Sequence, residues 1–280
     1  KAGPFYLLLP INTQPQVINH FNLKSMPLRP CVSKQVVGEQ KLIEEAVKTI
    51  CDSKKVVIKV GGGSRQFFDQ VRQFAKLAGA SVVLSPGSTG VLANDDPLNM
   101  HVGGSKGSIS GNYAMQNADV LIVIGSRAVC QSDCSGVGYP HVKQVINING
   151  DFSDLNHYND TLGLYGDIGG ILEQLIAAFP KSIDYLAPKQ VWLADCLRHK
   201  GEWKNFLIQT QAVKTITDEV WKRAVLTQPT AIKAVCDFAK QHKAIKFFDA
   251  GDVQANGFQT VEDDFPGETY TETGASYMGF

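Results

Sequence analysis

The chain has 280 residues, 44% of them hydrophobic and 19% charged, which excludes an intrinsically disordered protein and allows a sizeable core. Its 27 basic and 27 acidic residues balance, and no apolar run approaches the roughly 20 residues of a membrane helix. These features argue against nucleic-acid and membrane partners. Because no signal peptide is visible, they predict a cytoplasmic protein.

The six cysteines are scattered along the chain, which favours reduced thiols over the dense disulfides of small secreted proteins. Cys130 and Cys134 form the only close pair. Their spacing lies in the range of metal ligands, but no second Cys or His pair completes a tetrahedral site. We therefore predict no metal site in this chain.

Both ends of the chain carry apolar segments. Residues 5–10 are an apolar run closed by a proline, which predicts a buried strand. Residues 274–280 read as a glycine-bounded turn that enters an apolar helix. A chain that begins in a strand and ends entering a helix is expected to be an excised portion of a longer protein.

Between these ends, predicted helices alternate with predicted strands. A connector without clear periodicity spans 12–38, and Ser64 is placed to cap a helix that Gly79 ends. The predicted helices are 40–51, 65–78, 112–117, 168–179 and 229–242. The predicted strands are 56–60, 81–84, 119–124, 144–148, 162–165 and 244–249, and residues from 251 onward are predicted as a loop.

Short strands of continuous apolar character, separated by helices, indicate a parallel sheet covered on both faces. We predict an α/β fold in which residues 35–182 form a doubly wound parallel sheet. Residues 183–225 predict amphipathic helices or an interdomain connection. Three tryptophans in this segment are interpreted as packing anchors, namely Trp192, Trp203 and Trp221.

Two loops are candidate anion sites, with nucleotides as the expected ligands. Gly61, Gly62 and Gly63 follow a strand and precede a helix, where amides and the helix dipole hold anions. A turn that needs glycine only for close packing is the alternative. Arg127 follows the most apolar strand and is placed to clamp a phosphate or carboxylate, unless it is simply solvated. Neither loop has a dinucleotide fingerprint or a Walker motif.

No acid–base or nucleophilic pair is visible in the sequence. No Gly-x-Ser-x-Gly elbow occurs, and residues 95–97 read as a turn. His101, His141 and His157 lie far apart and are not paired with a serine, cysteine or carboxylate. We therefore assign no catalytic residue in this chain.

Ordered landmarks along almost the whole chain carry a family resemblance. They are residues 3–14, 61–63, 96–98, 112–114, 118–121, 125–127, 166–167, 249–254 and 274–279. In this order they resemble thiamine-diphosphate-dependent enzymes of the acetohydroxyacid (acetolactate) synthase type. The resemblance implies a Rossmann-like central domain with partial flanking domains. It implies the end of a pyrimidine-binding domain at 1–22, the central domain at 35–182, a helical linker at 183–225 and the start of a diphosphate-binding domain at 226–280.

The resemblance also implies contacts with the cofactor. The loop that would hold the diphosphate comprises Gly251, Asp252, Val253 and Gln254. Met278 would prop the cofactor into its bent form, while the Ser276 carbonyl and the Met278 amide would bond its aminopyrimidine. Without the resemblance, these segments read as a turn and a core methionine. The family's activating glutamate and its Asp-Gly…Asn magnesium motif match nothing in this chain. Thiamine diphosphate and Mg²⁺ are therefore expected only with further segments, and the chain alone is expected to be inactive.

The implied activity forms or breaks a C–C bond next to the carbonyl of a 2-oxo acid, in a homodimer or homotetramer. One alternative is a thiamine-diphosphate-dependent hydrolase of a cyclic 1,2-dione, which the Asn147 and Asn149 pattern also resembles. The other is a non-catalytic nucleotide-binding or structural module. Arg127 matches a flavin-contacting arginine, but flavin-containing members carry Asp where Asn147 and Asn149 stand, which argues against bound FAD.

Overall fold

The computed structural model describes residues 6–26, 37–128, 138–156, 160–271 and 278–279, in two compact units, Lys1–Gln35 and Val36–Phe280. The helices are α1 (Gln40–Asp52), α2 (Phe68–Ala78), α3 (Ile109–Asn117), α4 (Ile168–Ala178), α5 (Gln190–Ala212), α6 (Gln228–His242) and α7 (Asp252–Thr260). The strands are β1 (Val56–Val60), β2 (Ser81–Leu84), β3 (Asn99–Val102), β4 (Val120–Ile124), β5 (Gln144–Asn149), β6 (Thr161–Tyr165), β7 (Thr215–Thr217), β8 (Ala224–Leu226), β9 (Lys246–Phe248) and β10 (Thr269–Thr271).

Six strands form one parallel sheet in the order β3-β2-β1-β4-β5-β6. The strand order reverses between β1 and β4, so that the crevice above their carboxyl ends is the topological switch point of a doubly wound sheet. The predicted α/β fold with a doubly wound parallel sheet is therefore confirmed.

The sheet is covered on both faces. Alternate strand residues such as Ile58 and Ile122 pack against α1, α2 and α4, whereas Val57 and Leu121 pack against α3 and α5. Because both faces are buried, β1 and β4 are apolar at almost every position. This explains why their sequences show continuous rather than alternating hydrophobicity.

Helix α5 belongs to one of these covering layers. Its Trp192 is buried and donates its indole N–H to the Val56 carbonyl at 3.2 Å, and Trp203 is buried further along. The segment predicted as helical over 183–225 also contains an antiparallel pair, β7 with β8. Trp221 precedes β8 and is 65% exposed, so its predicted role as a packing anchor is wrong. The Arg223 guanidinium lies 5.0 Å from the centroid of its ring.

The predicted cap of α2 and the predicted first strand are wrong. Ser64 does not cap α2, because Gly62–Phe67 form a 3₁₀ turn first and the Ser64 hydroxyl donates to the Gly61 carbonyl at 2.7 Å. The predicted strand at 5–10 does not form over its described part, 6–10, where the side chains are exposed. Within the described residues no strand pairs with it, and a lone apolar run leaves its main-chain groups unpaired.

The C-terminal part is a second strand-and-helix arrangement. β9 and β10 pair in parallel, and α7 begins where the sequence predicted a loop. Asn256 and Gly257 disfavour a helix by propensity, but Phe258 and Gly257 are buried on one face of α7, and this packing decides the structure. Among the described residues, no helix combines the length and apolar character that a membrane crossing requires.

Candidate functional site

The end of β9 and the segment 278–279 meet at a single hydrogen-bonding centre. The Asp249 carboxylate accepts the main-chain N–H of Gly279, at 3.0 and 2.9 Å from its two oxygens. It also accepts the N–H of Ala250 at 2.7 Å. Asp249 and Gly279 are 30 residues apart in sequence. Their hydrogen bonds join the two segments that resemble cofactor-binding motifs. We call these residues, 249–254 with 278–279, the β9-end site.

The β9-end site contains the amino end of helix α7. Gly251 precedes the helix with φ of +97° and has no neighbour within 4 Å of the position of a Cβ. No side chain caps the helix, and Asp252 and Val253 in its first turn are exposed. Their amides lack acceptors within the helix and, with the helix dipole, favour an anion.

Met278 and Gln254 occupy contrasting positions in the β9-end site. Met278 is 88% exposed, so it is not a core methionine. Gln254 is buried, with its side chain turned into the structure. Ser276, predicted to bond an aminopyrimidine, lies outside the described residues. The site therefore presents Gly251, Asp252, Val253 and Met278 to solvent.

An arginine connects the sheet to β10. Arg65 donates its Nε–H to the Gly87 carbonyl, and its guanidinium lies 5.3 Å from the ring centroid of Tyr270. The Tyr270 ring in turn stacks on Phe247 of β9 at 5.4 Å. Sequence reasoning missed this connection, because no local pattern marks an arginine whose partners lie far along the chain.

At the switch point, the glycine loop is closely packed against the end of β4. The Gly61 amide donates to the Ile124 carbonyl at 2.9 Å, the Gly63 amide to the Gly125 carbonyl at 3.1 Å, and the Ser64 amide to the Gly61 carbonyl at 3.1 Å. These three amides are therefore already used within the protein. Gly62 and Gly63 are both exposed, but the Gly63 amide is one of the three engaged amides, which leaves Gly62 as the exposed glycine without that constraint.

The neighbouring strand end carries Arg127 and Asn149. The Arg127 side chain is exposed at this edge of the sheet. The Asn149 amide group donates to the Ser126 carbonyl at 2.9 Å, and its oxygen accepts the Asp151 N–H at 3.1 Å. Asn149 thus ties the ends of β4 and β5 together and has both of its polar groups engaged.

Other candidates from the sequence are not brought together. Cys130, Cys134 and His157 lie outside the described residues. Over the described ranges, no three Cys, His, Asp or Glu side chains form a group that could hold a metal ion. The turn predicted at 95–97 is present.

Comparison with known proteins identifies the sheet. Residues 43–175 match the family model described as thiamine pyrophosphate enzyme, central domain. The acetolactate synthase (chloroplastic) of Arabidopsis thaliana is 35% identical over 128 residues, which are 45% of this chain and 19% of that protein. The acetolactate synthase isozyme 1 large subunit of Escherichia coli K12 is 26% identical over 182 residues, 63% of this chain and 31% of that protein. A probable acetolactate synthase 2 (chloroplastic) of Oryza sativa subsp. japonica is 26% identical over 171 residues, 58% of this chain and 25% of that protein.

Residues 43–175 therefore match the central domain of thiamine pyrophosphate enzymes, and the expected resemblance is confirmed. The matched region contains the whole six-stranded sheet. The chain spans between 19% and 31% of the length of the three relatives named above.

Proposed function

We propose that this chain is a portion of a thiamine-diphosphate-dependent enzyme that forms or breaks a C–C bond beside the carbonyl of a 2-oxo acid, as an acetolactate synthase does. The observation that carries the proposal is the match of residues 43–175 to the central-domain family. The hydrogen bonds from Gly279 to Asp249 support it, because they join the two segments implied to bind the cofactor. We further propose a cytoplasmic homo-oligomer in which Mg²⁺ accompanies the cofactor diphosphate.

The β9-end site fits a diphosphate group. Gly251 leaves open space where other residues would place a Cβ, and the first amides of α7 offer N–H donors to an anion. We propose that Gly251, Asp252, Val253 and Gln254 hold the diphosphate. When bound, thiamine diphosphate supplies the electron sink for C–C bond cleavage.

The segment around Met278 is proposed to orient the cofactor. We propose that Met278, whose side chain is exposed beside Asp249, packs against the cofactor and excludes water from one of its faces. The Ser276 carbonyl and the Met278 amide would bond the aminopyrimidine. Asp249 positions this segment through Gly279. No residue of the chain is proposed as the general acid or base.

The central domain is proposed to work without a flavin. Asn149 uses both of its polar groups on the main chain, and three amides of the Gly61 loop are engaged inside the protein. Gly62 and Arg127 remain the accessible groups for a nucleotide at this edge. Absorbance near 450 nm in the purified protein would contradict the proposal of a flavin-free domain.

The proposed diphosphate site is tested by ³¹P NMR of thiamine diphosphate with Mg²⁺ and the full-length enzyme of which we propose this chain to be a portion. We expect the two phosphorus signals to broaden, and Gly251→Ala to reduce the broadening, because alanine is strained at φ of +97°. The matched control is Gly201→Ala, on an exposed helix face with no neighbour within 4 Å. Broadening of ADP signals without broadening of thiamine diphosphate would overturn the proposal in favour of a nucleotide-binding module. Equal broadening of the phosphorus signals with Gly251→Ala and Gly201→Ala would show that the diphosphate does not bind at the β9-end site.

A further inference from the structure

The edge strand β3 contains a bulge that redirects a histidine. Asn99 pairs with Val82, and Val102 pairs with Leu84. Between these two pairs β3 contains one residue more than β2. The extra residue is His101, which has φ of +62°. Its main-chain N–H donates to the Asn99 side-chain oxygen at 2.8 Å. A β-bulge of this kind re-aims a side chain away from the sheet.

The redirected His101 side chain lines a cavity of about 440 Å³ between β3, α5 and α7. Within the described part of the chain, its ring nitrogens have no hydrogen-bond partner. Burial, followed by the nearby charge of Lys200, lowers the pKa of His101 from 6.5 to about 3. The imidazole is therefore neutral near pH 7 and offers one N–H donor to the cavity.

Lys200 supplies a second donor to the same cavity. Its ammonium donates to the carbonyls of Asn94 at 2.9 Å and Asp96 at 2.6 Å. An ammonium group has three N–H donors, and no third acceptor occurs among the residues that the structure describes. His101 and Lys200 thus bring two donors without acceptors to one cavity, close enough for the lysine charge to act on the imidazole.

The rest of the lining defines the kind of ligand. Leu197, Trp203 and Leu207 of α5 form an apolar wall. Besides Lys200, the charged residues of the lining are Lys204, Asp95 and Glu262. Two positive and two negative side chains balance, which disfavours a multiply charged phosphate. Two N–H donors beside an apolar wall suit a single carboxylate on an apolar body.

We propose that this cavity, the His101 cavity, binds a small monocarboxylate with an apolar body. The carboxylate accepts hydrogen bonds from the His101 ring and from the Lys200 ammonium, and the body packs on the wall formed by Leu197, Trp203 and Leu207. The cavity volume is in the range of pockets that enclose small organic ligands. This inference is independent of the diphosphate site.

The test uses the 280-residue chain labelled with ¹³Cε1-histidine and the probe 3-phenylpropanoate. His101→Asn assigns the His101 signal, because asparagine tolerates a positive φ. We expect a saturable shift of that signal with 3-phenylpropanoate and a much weaker effect of 3-phenylpropanamide, which has the same body without the charge. Equal shifts with the acid and the amide, or a shift that does not saturate, would overturn the proposal.

Variants locate the binding in the cavity. Lys200→Met is expected to weaken binding about tenfold or more, because it removes a charge-assisted hydrogen bond. Leu207→Trp fills the cavity and keeps both donors, so it should also abolish the shift. Lys48→Met, the same change at an exposed lysine on α1, should leave the affinity unchanged. Unaltered affinity in both Lys200→Met and Leu207→Trp would place the probe elsewhere and refute the proposal.

Discussion

The main-chain amide of Gly61 donates to the Ile124 carbonyl at 2.9 Å, across the point where the strand order of the sheet reverses. Around this hydrogen bond the two loops touch through their main chains. A Cβ on Gly61 would lie 2.5 Å from the Cα of Ser126, and a Cβ on Gly125 would lie 2.8 Å from the carbonyl carbon of Gly63. The glycines therefore hold the ends of β1 and β4 together.

Gly61→Ala is expected to destabilise the protein by about 1–3 kcal/mol, because its methyl group would overlap main-chain atoms that no rotamer change can move. Gly62→Ala is the matched control. The nearest atom to its Cβ would be the Gly87 oxygen at 3.9 Å, so we expect a change within about 0.5 kcal/mol. Urea unfolding of both variants measures the difference. Equal losses would show that glycine is needed here for a reason other than close packing.

A buried lysine joins the ends of two helices. The Lys189 ammonium donates to the carbonyls of Ile50 in α1 at 2.7 Å and Ala78 in α2 at 2.6 Å. Its side chain is completely buried. Lys189→Met removes the hydrogen-bond donor of these buried carbonyls. We therefore expect a loss of about 2–4 kcal/mol in the free energy of unfolding. Lys48→Met, at an exposed position of α1, should change it by less than about 0.5 kcal/mol.

Lys189 also gives the stability a defined dependence on pH. Burial lowers its pKa from 10.5 to about 8, against the opposing influence of Cys51 and Asp119. Between pH 8 and 10.5 the unfolded chain binds the extra proton, so the free energy of unfolding rises with pH in this window. From pH 8 to 9.5 we expect a gain of about 2 kcal/mol relative to Lys189→Met.

The measurement compares urea unfolding of the two proteins at several pH values. Both proteins should carry Cys51→Ala. Burial raises the pKa of the Cys51 thiol, so its ionisation at high pH would lower the free energy of unfolding and mask part of the gain from Lys189. Parallel stability curves for the two proteins would show that Lys189 has its ordinary pKa in the folded state.

The sheet was predictable from the sequence because its strands are buried on both faces. Runs such as 56–60 and 120–124 are apolar at almost every position and flanked by helical patterns, which is enough to indicate a parallel α/β fold. Local propensity failed where tertiary contacts decide the structure. Helix α7 contains Asn256 and Gly257, and its stability comes from the buried Phe258.

The candidate sites were less predictable than the fold. The resemblance indicated residues 249–254 and 278, but only the structure shows that Asp249 holds Gly279. Nothing in the sequence marks Lys189 as buried, because its acceptors are main-chain carbonyls 139 and 111 residues away. The bulge at His101 is equally hidden, since it depends on the register between β2 and β3.

His101 predicts a loss of stability in acid. Burial lowers its pKa from 6.5 to about 3, so below pH 6.5 the unfolded chain binds a proton that the folded protein does not. The charged groups nearest to it include Lys200, which stays protonated in acid and opposes a second positive charge. Between pH 7 and pH 5 we expect the wild type to lose about 2 kcal/mol more than His101→Asn. Urea unfolding at the two pH values measures this difference, with His242→Asn on exposed α6 as the control. If both variants lose as much stability as the wild type, the pKa of His101 is not lowered in the folded protein.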